Sequence, residues 1–104
     1  MQANKKVYNL LGLMTKSRNL VSGSFMVEKA VKDGSARLVI VSENASDNTK
    51  KLFRNKCESY QVPLYFFGNS EDLGKAMGKE ERVAIAITNS GFAKSVKKLL
   101  ESDS

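Results

Sequence analysis

The stretch LVSGSFMVEKAV, Leu20 to Val31, holds the residues of this chain best placed to do chemistry. Ser22, Gly23 and Ser24 mark a turn that opens a helix, and the first amides of a helix point outward unpaired, so they can hold an anion. Lys29, Lys32 and Arg37 flank this start, and their charges would add to those amides. Phe25 and Met26 fill the first turn. Read alone, they are an apolar contact at the helix entrance, packed against Leu20 or the first helix. The sharper reading is an aromatic free to stack on an unpaired base.

The remaining reactive groups form no catalytic set. Glu43, Asp47 and Glu58 fall at a strand end, a loop and an outer helix face, and they read as caps or solvated charges. Gly74, Gly78 and Lys79 do not match the phosphate loop of nucleotide-triphosphate enzymes, which needs a preceding strand. The chain has no histidine, which removes the commonest general acid–base and a common metal ligand. Cys57 is the single cysteine, so it has neither a zinc-site mate nor a disulfide partner, as suits a reducing cytoplasm. No enzyme, cofactor or metal is expected. Lys50, Lys51, Arg54 and Lys56 on one helix, and Lys94, Lys97 and Lys98 on the last, read as solvated faces.

The elements that must position these groups alternate along the chain. Val7, Leu10, Leu11 and Met14 put one apolar face on a helix over Asn4–Ser17. Asn19-Leu20-Val21 is at most a short extended piece. Ser22 or Ser24 caps the second helix, Val27, Ala30 and Val31 form its buried stripe, and Gly34 stops it. Leu38 to Val41 is an uninterrupted apolar run, the mark of a strand covered on both faces. Ser46 or Asp47 caps a third helix with Thr49, Leu52, Phe53, Cys57 and Tyr60 inward, ended by Gln61–Pro63. Leu64–Phe67 is a strand, and Gly68-Asn69 turns into a short helix with Leu73, Ala76 and Met77 inward. Residues 78–81 make an exposed turn, Val83–Ile87 is a buried strand, and Phe92, Val96, Leu99 and Leu100 define a final helix. The tail ESDS is expected to fray. This order predicts one domain over residues 1–104. It is a three-layer α/β/α sandwich around a small mixed, mostly parallel sheet.

With 104 residues, 41% hydrophobic and 27% charged, the chain can bury one real core. No apolar run is long enough to span a membrane and the first ten residues lack a signal-peptide pattern, so no membrane role is expected. The net charge is +6, and residues 1–37 hold seven Lys/Arg against two acids, while residues 38–104 hold ten against nine. A basic first third suits a polyanion, whether RNA, DNA or an acidic lipid surface, and equally suits a solubility charge with no partner.

GSFMVEKAVKDGSARLVIVSENAS resembles the helix–strand core of the kink-turn-binding ribosomal proteins of the L-seven-A-e family. Their pattern is Gly-x-Asn-Glu-x-x-Lys, a helix ending in Gly, then AxLVIIAED. CESYQVPLYFFGNSEDLGKAMG looks like that family's CExxxVPYxxxxSxxxLGxAxG. The likeness runs without a gap from the first helix to Ile87, and VSGSFMVEKAV, SENASDNTKK and ITNSGFAK look most like its small bacterial YlxQ-like branch. The resemblance implies an α/β/α sandwich that binds a sharply bent RNA internal loop. The second helix start would lie against sheared G·A pairs, and a loop after the short fourth helix would touch an unstacked nucleotide. Carried over, the site is Gly23 and Ser24 through their backbone, Lys29 on a phosphate, Glu43 at the strand end, and the Leu73–Gly78 loop with Gly74, Lys75, Ala76, Met77 and Gly78. Phe25, Met26, Arg37 and Asn44 complete the candidate RNA-binding set.

The family's Asn-Glu pair is Phe25-Met26 here. Neither side chain can hydrogen-bond a guanine edge, and two lost contacts cost on the order of a few kcal/mol, about a hundredfold in affinity if uncompensated. Two readings follow. In the first, the chain binds structured RNA, ribosomal or kink-turn-like, through shape and phosphate contacts. In the second, Phe25 and Met26 anchor a protein partner within a ribosomal, translation or transcription complex.

Overall fold

A computed structural model describes residues 2–102, with side chains from Asn4 onward. Among these residues the order is α1 (Gln2–Lys16), β1 (Leu20–Ser22), α2 (Ser24–Lys32), β2 (Leu38–Val41), α3 (Asp47–Tyr60), β3 (Leu64–Phe66), α4 (Ser70–Ala76), β4 (Ala84–Ile87) and α5 (Ser90–Ser102). The helix α5 continues through Glu101 and Ser102. Fraying expected of the last two residues lies outside the described part.

The strands form one sheet in the order β1-β4-β2-β3. Its alternating side chains build two cores, as a pleated strand requires. Leu38, Ile40, Ile85 and Ile87 point to one face and pack with Val7, Leu11 and Met14 of α1, Leu73 of α4 and Val96 of α5. Val39, Val41, Ala84 and Ala86 point to the other, against Val27 and Val31 of α2 and Phe53 and Cys57 of α3. The three-layer sandwich predicted from the sequence is therefore present.

The sheet is mixed, as expected, and three of its four strands, β1, β2 and β3, point the same way. Because β4 runs antiparallel between β1 and β2, β2–β3 is the one parallel neighbouring pair among the described residues, short of the mostly parallel pairing expected. An uninterrupted apolar strand reports that helices cover both faces, not which way the strand runs. The cause of the reversal is α4. Seven helical residues advance only about 10 Å, too little with its turns to carry the chain back along the sheet. The chain therefore enters β4 from the end where β3 stops.

Because β1, β2 and β3 point the same way, the helices that follow them, α2, α3 and α4, all start at one end of the sheet. That end also receives the loop before β4. We call it the rim. The opposite end carries the starts of β1, β2 and β3 and the start of α5.

Two smaller expectations also change. Tyr60 is exposed at 49%, because it lies in the last turn of α3, beyond the part that covers the sheet. The Lys50 and Arg54 cations lie over the ring of Phe66, at 5.9 and 5.0 Å from its centre, so that part of α3 is more than a solvated face. Among the described residues no helix is long and apolar enough to cross a membrane.

Candidate nucleic-acid interface

Gly23, not Ser22 or Ser24, stands at the start of α2, and no side chain caps this helix. Its backbone takes φ 95° and ψ 142°, a conformation open essentially to glycine alone. The conformation lets the Gly23 amide donate to Ala84 O at 2.9 Å, while Gly23 O accepts the first helical bond from Val27 N at 2.9 Å. The helix start is thus pinned to β4 and its first-turn amides are left without a side-chain acceptor. The other two helix starts on the rim are capped: Ser46 Oγ accepts from Thr49 N at 3.1 Å and Asn69 Oδ1 from Asp72 N at 2.8 Å.

Ser22 does not cap α2 because it ends β1, one position before the Gly23 cap, and its hydroxyl serves another partner. Arg82 Nε donates to Ser22 Oγ at 3.1 Å, and Arg82 Nη1 donates to the carbonyls of Glu81 and Glu80 at 2.9 and 3.3 Å. The Arg82 amide also donates to Ser70 O at 3.0 Å. Ser70 is the buried hub of the neighbouring connection. Its amide donates to Asn44 Oδ1 at 2.9 Å, Asn44 Nδ2 donates to its hydroxyl at 3.2 Å, and that hydroxyl donates to Glu81 Oε1 at 3.3 Å. Finally, Glu43 N donates to Gly68 O at 2.7 Å. All four rim connections are therefore hydrogen-bonded to one another, which holds the surface in one shape.

The residues named from the sequence divide across the molecule. Gly23, Ser24, Phe25, Met26, Glu43 and Asn44 come together on the rim. Phe25 is 78% exposed and Met26 44%, so neither joins the core as an apolar contact at the helix entrance would. Lys29 and Lys32 lie in the last turn of α2 and do not flank its start. Lys32 is engaged with Glu28 at 3.6 Å, and Glu28 also meets Lys56 at 3.7 Å. Lys29 is exposed, one turn along from Phe25, beside a shallow groove of about 330 Å³ that both residues line. Arg37 stands before β2, at the opposite end of the sheet, so it cannot share a contact with the α2 start.

The expected loop at Leu73–Gly78 is also displaced. Leu73 to Ala76 complete α4, with Met77 as its cap. Gly74 is buried, and a Cβ there would sit 1.9 Å from Glu80 O. Met77 is buried in the core at 5% exposure and Ala76 packs against it, whereas Lys75 and Gly78 are exposed. The rim loop that follows α4 is Lys79–Val83. Sequence reasoning missed Ser70, Glu81 and Arg82. The one available signal was a lone arginine before a buried strand.

The rim is electrostatically mixed. Glu43, Asp47, Glu80 and Glu81 are exposed there beside Lys79 and Arg82. Charge alone therefore does not mark the rim; its open amides and fixed loops do. Among the described residues no group of three or more His, Cys, Asp or Glu could hold a metal.

A sandwich of this topology, with an uncapped glycine start facing an interlocked set of loops, is a defined class. Residues 5–97 match the Ribosomal protein L7Ae/L30e/S12e/Gadd45 family, and the chain belongs to it. It is 40% identical over 94 residues to the Bacillus subtilis protein named RNA-binding protein YlxQ, covering 90% of this chain and 94% of that one. A Bacillus halodurans protein of unknown function superposes with a TM-score of 0.89 and 43% identity, covering 92% of this chain and 97% of its own. The Giardia lamblia 15.5kD RNA binding protein superposes at 0.80 over 98% of this chain and 88% of its own, with 22% identity, and so shares the fold.

Proposed function

We propose that this chain is a single non-enzymatic domain that binds structured RNA, ribosomal or kink-turn-like, in the cytoplasm. The observation that carries this reading is the α2 start. Its open amides lie at the same end of the sheet as Glu43, on a rim whose loops are already fixed, so binding needs little ordering. In this reading the amides of Ser24 to Met26 take a phosphate or base edge, and Lys29 holds a neighbouring phosphate. Phe25 and Met26 supply apolar surface that can stack on an unpaired base, in place of hydrogen bonds to base edges. The name of the Bacillus subtilis relative supports RNA as the partner class.

The test is fluorescence anisotropy with a kink-turn RNA and with the same RNA carrying Watson–Crick pairs in place of its G·A pairs, at two salt concentrations. Preference for the kinked RNA places recognition in the bend. Equal, salt-sensitive binding to both means phosphate contact without that specificity. Binding to neither removes the proposal.

The exposure of Phe25 and Met26 favours one second reading, in which they anchor a protein of a ribosomal, translation or transcription complex. Phe25→Asn with Met26→Glu separates the two. It abolishes capture of a protein partner in the second reading. In the first, it exchanges stacking surface for groups that hydrogen-bond guanine edges, so kink-turn binding is kept or improved.

A further inference from the structure

The basic residues of the first third do not gather at the α2 start. Arg18 lies two residues before β1 and Arg37 one before β2, on either side of the C-terminal end of β4. There Thr88 N donates to Asn19 O at 2.9 Å and Arg37 N to Ile87 O at 2.7 Å. The helix α5 begins at this same end because it follows β4 directly. Its first turns bring Lys94 and Lys97 beside Arg37. These three cations and the apolar Leu38, Pro63 and Ala93 line an open groove of about 240 Å³.

Arg37, Lys94 and Lys97 are all exposed, and none makes an ion pair among the described residues. Two acids lie at this end. Asp33 is occupied, its carboxylate accepting from Ser35 N at 2.9 Å and from Ser35 Oγ at 2.7 Å. Glu58 is in the last turn of α3. The start of α5 adds the positive end of its dipole to the three side chains. Lys94 and Lys97 are three residues apart on one helix face, about 5–6 Å between their Cβ atoms, so with Arg37 they form a short row of positive charge. The cations are solvated and surround an uncharged apolar floor. That suits a polyanion backbone held without base readout.

We propose that this groove is a second RNA surface, which takes the phosphate backbone of a segment separate from the one at the rim. It rests on the proposed RNA-binding function and extends it. Groove and rim lie at opposite ends of the strands in a molecule of 32 × 28 × 27 Å, so an RNA that occupies both presents a different segment to each.

The test compares wild type with a triple variant, Arg37→Glu, Lys94→Glu and Lys97→Glu. The probes are a short kink-turn, the same kink-turn with a long flanking duplex, and the flanking duplex alone. The two proteins are expected to bind the short RNA equally. On the extended RNA the variant loses at least about tenfold in affinity, and its log–log salt slope falls by about two to three. Thermal melting checks that the variant is folded, and the neutral triple Arg37→Gln, Lys94→Gln and Lys97→Gln gives a smaller loss in the same direction. Equal affinity and slope for wild type and variants on the extended RNA overturn the proposal. So does loss of binding by anionic lipid vesicles or acidic peptides in its place. If wild type does not bind the short RNA, the rim function is what fails; the groove then stands or falls on the duplex alone, which wild type must bind more tightly than the variants.

Discussion

Arg82 Nε donates to Ser22 Oγ at 3.1 Å across sixty residues of chain. This bond ties the loop before β4 to the strand that delivers α2. Replacing Arg82 by Ala removes this bond and two carbonyl contacts at once. The expected cost is about 1–3 kcal/mol in a urea midpoint analysis, with weaker RNA binding because the Lys79–Val83 loop loses its anchor. Unchanged stability and unchanged RNA affinity together would show that the loop is held by other means.

Gly23 is the second pivot of the rim. A side chain at φ 95° is strained even though space is open around it. Gly23→Ala is expected to destabilise the fold by about 1–3 kcal/mol and to tilt the α2 start away from Ala84 O. Melting temperature and RNA anisotropy read the two effects separately.

Gly74 acts by close approach instead. Its Cβ would meet the Glu80 carbonyl oxygen at 1.9 Å and the carbonyl carbon at 2.6 Å, and backbone cannot yield cheaply. Gly74→Ala is expected to cost more than about 2 kcal/mol and to disorder the Lys79–Val83 loop first. Amide exchange over that loop should rise before global unfolding.

The alkaline limit of stability follows from buried acids. Burial pushes the Cys57 thiol up from its ordinary 9.0 to about 11. Burial, then the hydrogen bond to Glu101, lifts the Tyr65 phenol to about 12 from 10.0. Both groups hold their proton longer when folded, so the unfolded chain binds fewer protons in this range and stability falls as pH rises. The loss should begin near pH 9 through Cys57 and continue to about 12 through Tyr65. Cys57→Val is expected to delay the onset toward pH 10, as read by thermal melting across pH; an onset unmoved by this change contradicts the assignment.

The layers were legible from the sequence because burial periodicity is local. Val27, Ala30 and Val31, or Leu38 to Val41, reveal their buried faces without any partner being known. Strand direction was not, since the apolar run of Ala84–Ile87 reads the same either way and the short α4 decides it. The cap of α2 falls at Gly23 and not at a serine because the turn out of β1 takes φ 95° there, which no local pattern announces. Likewise, Gly74 looked like a loop residue until the Glu80 carbonyl against it showed a packing role. Arg37 counted toward a basic first third, but a strand's length separates it from the α2 start. Site residues joined by tertiary hydrogen bonds, Asn44, Ser70, Glu81 and Arg82, leave no periodic trace.

The most direct measurement is amide chemical-shift mapping of the isotope-labelled protein titrated with a short kink-turn RNA. Shifts are expected over Ser22–Lys29, Glu43–Ser46 and Lys79–Val83, largest at Ser24 to Met26, with Lys94 and Lys97 unmoved. Saturable binding that shifts other surfaces and leaves the α2 start untouched would contradict the proposed rim site.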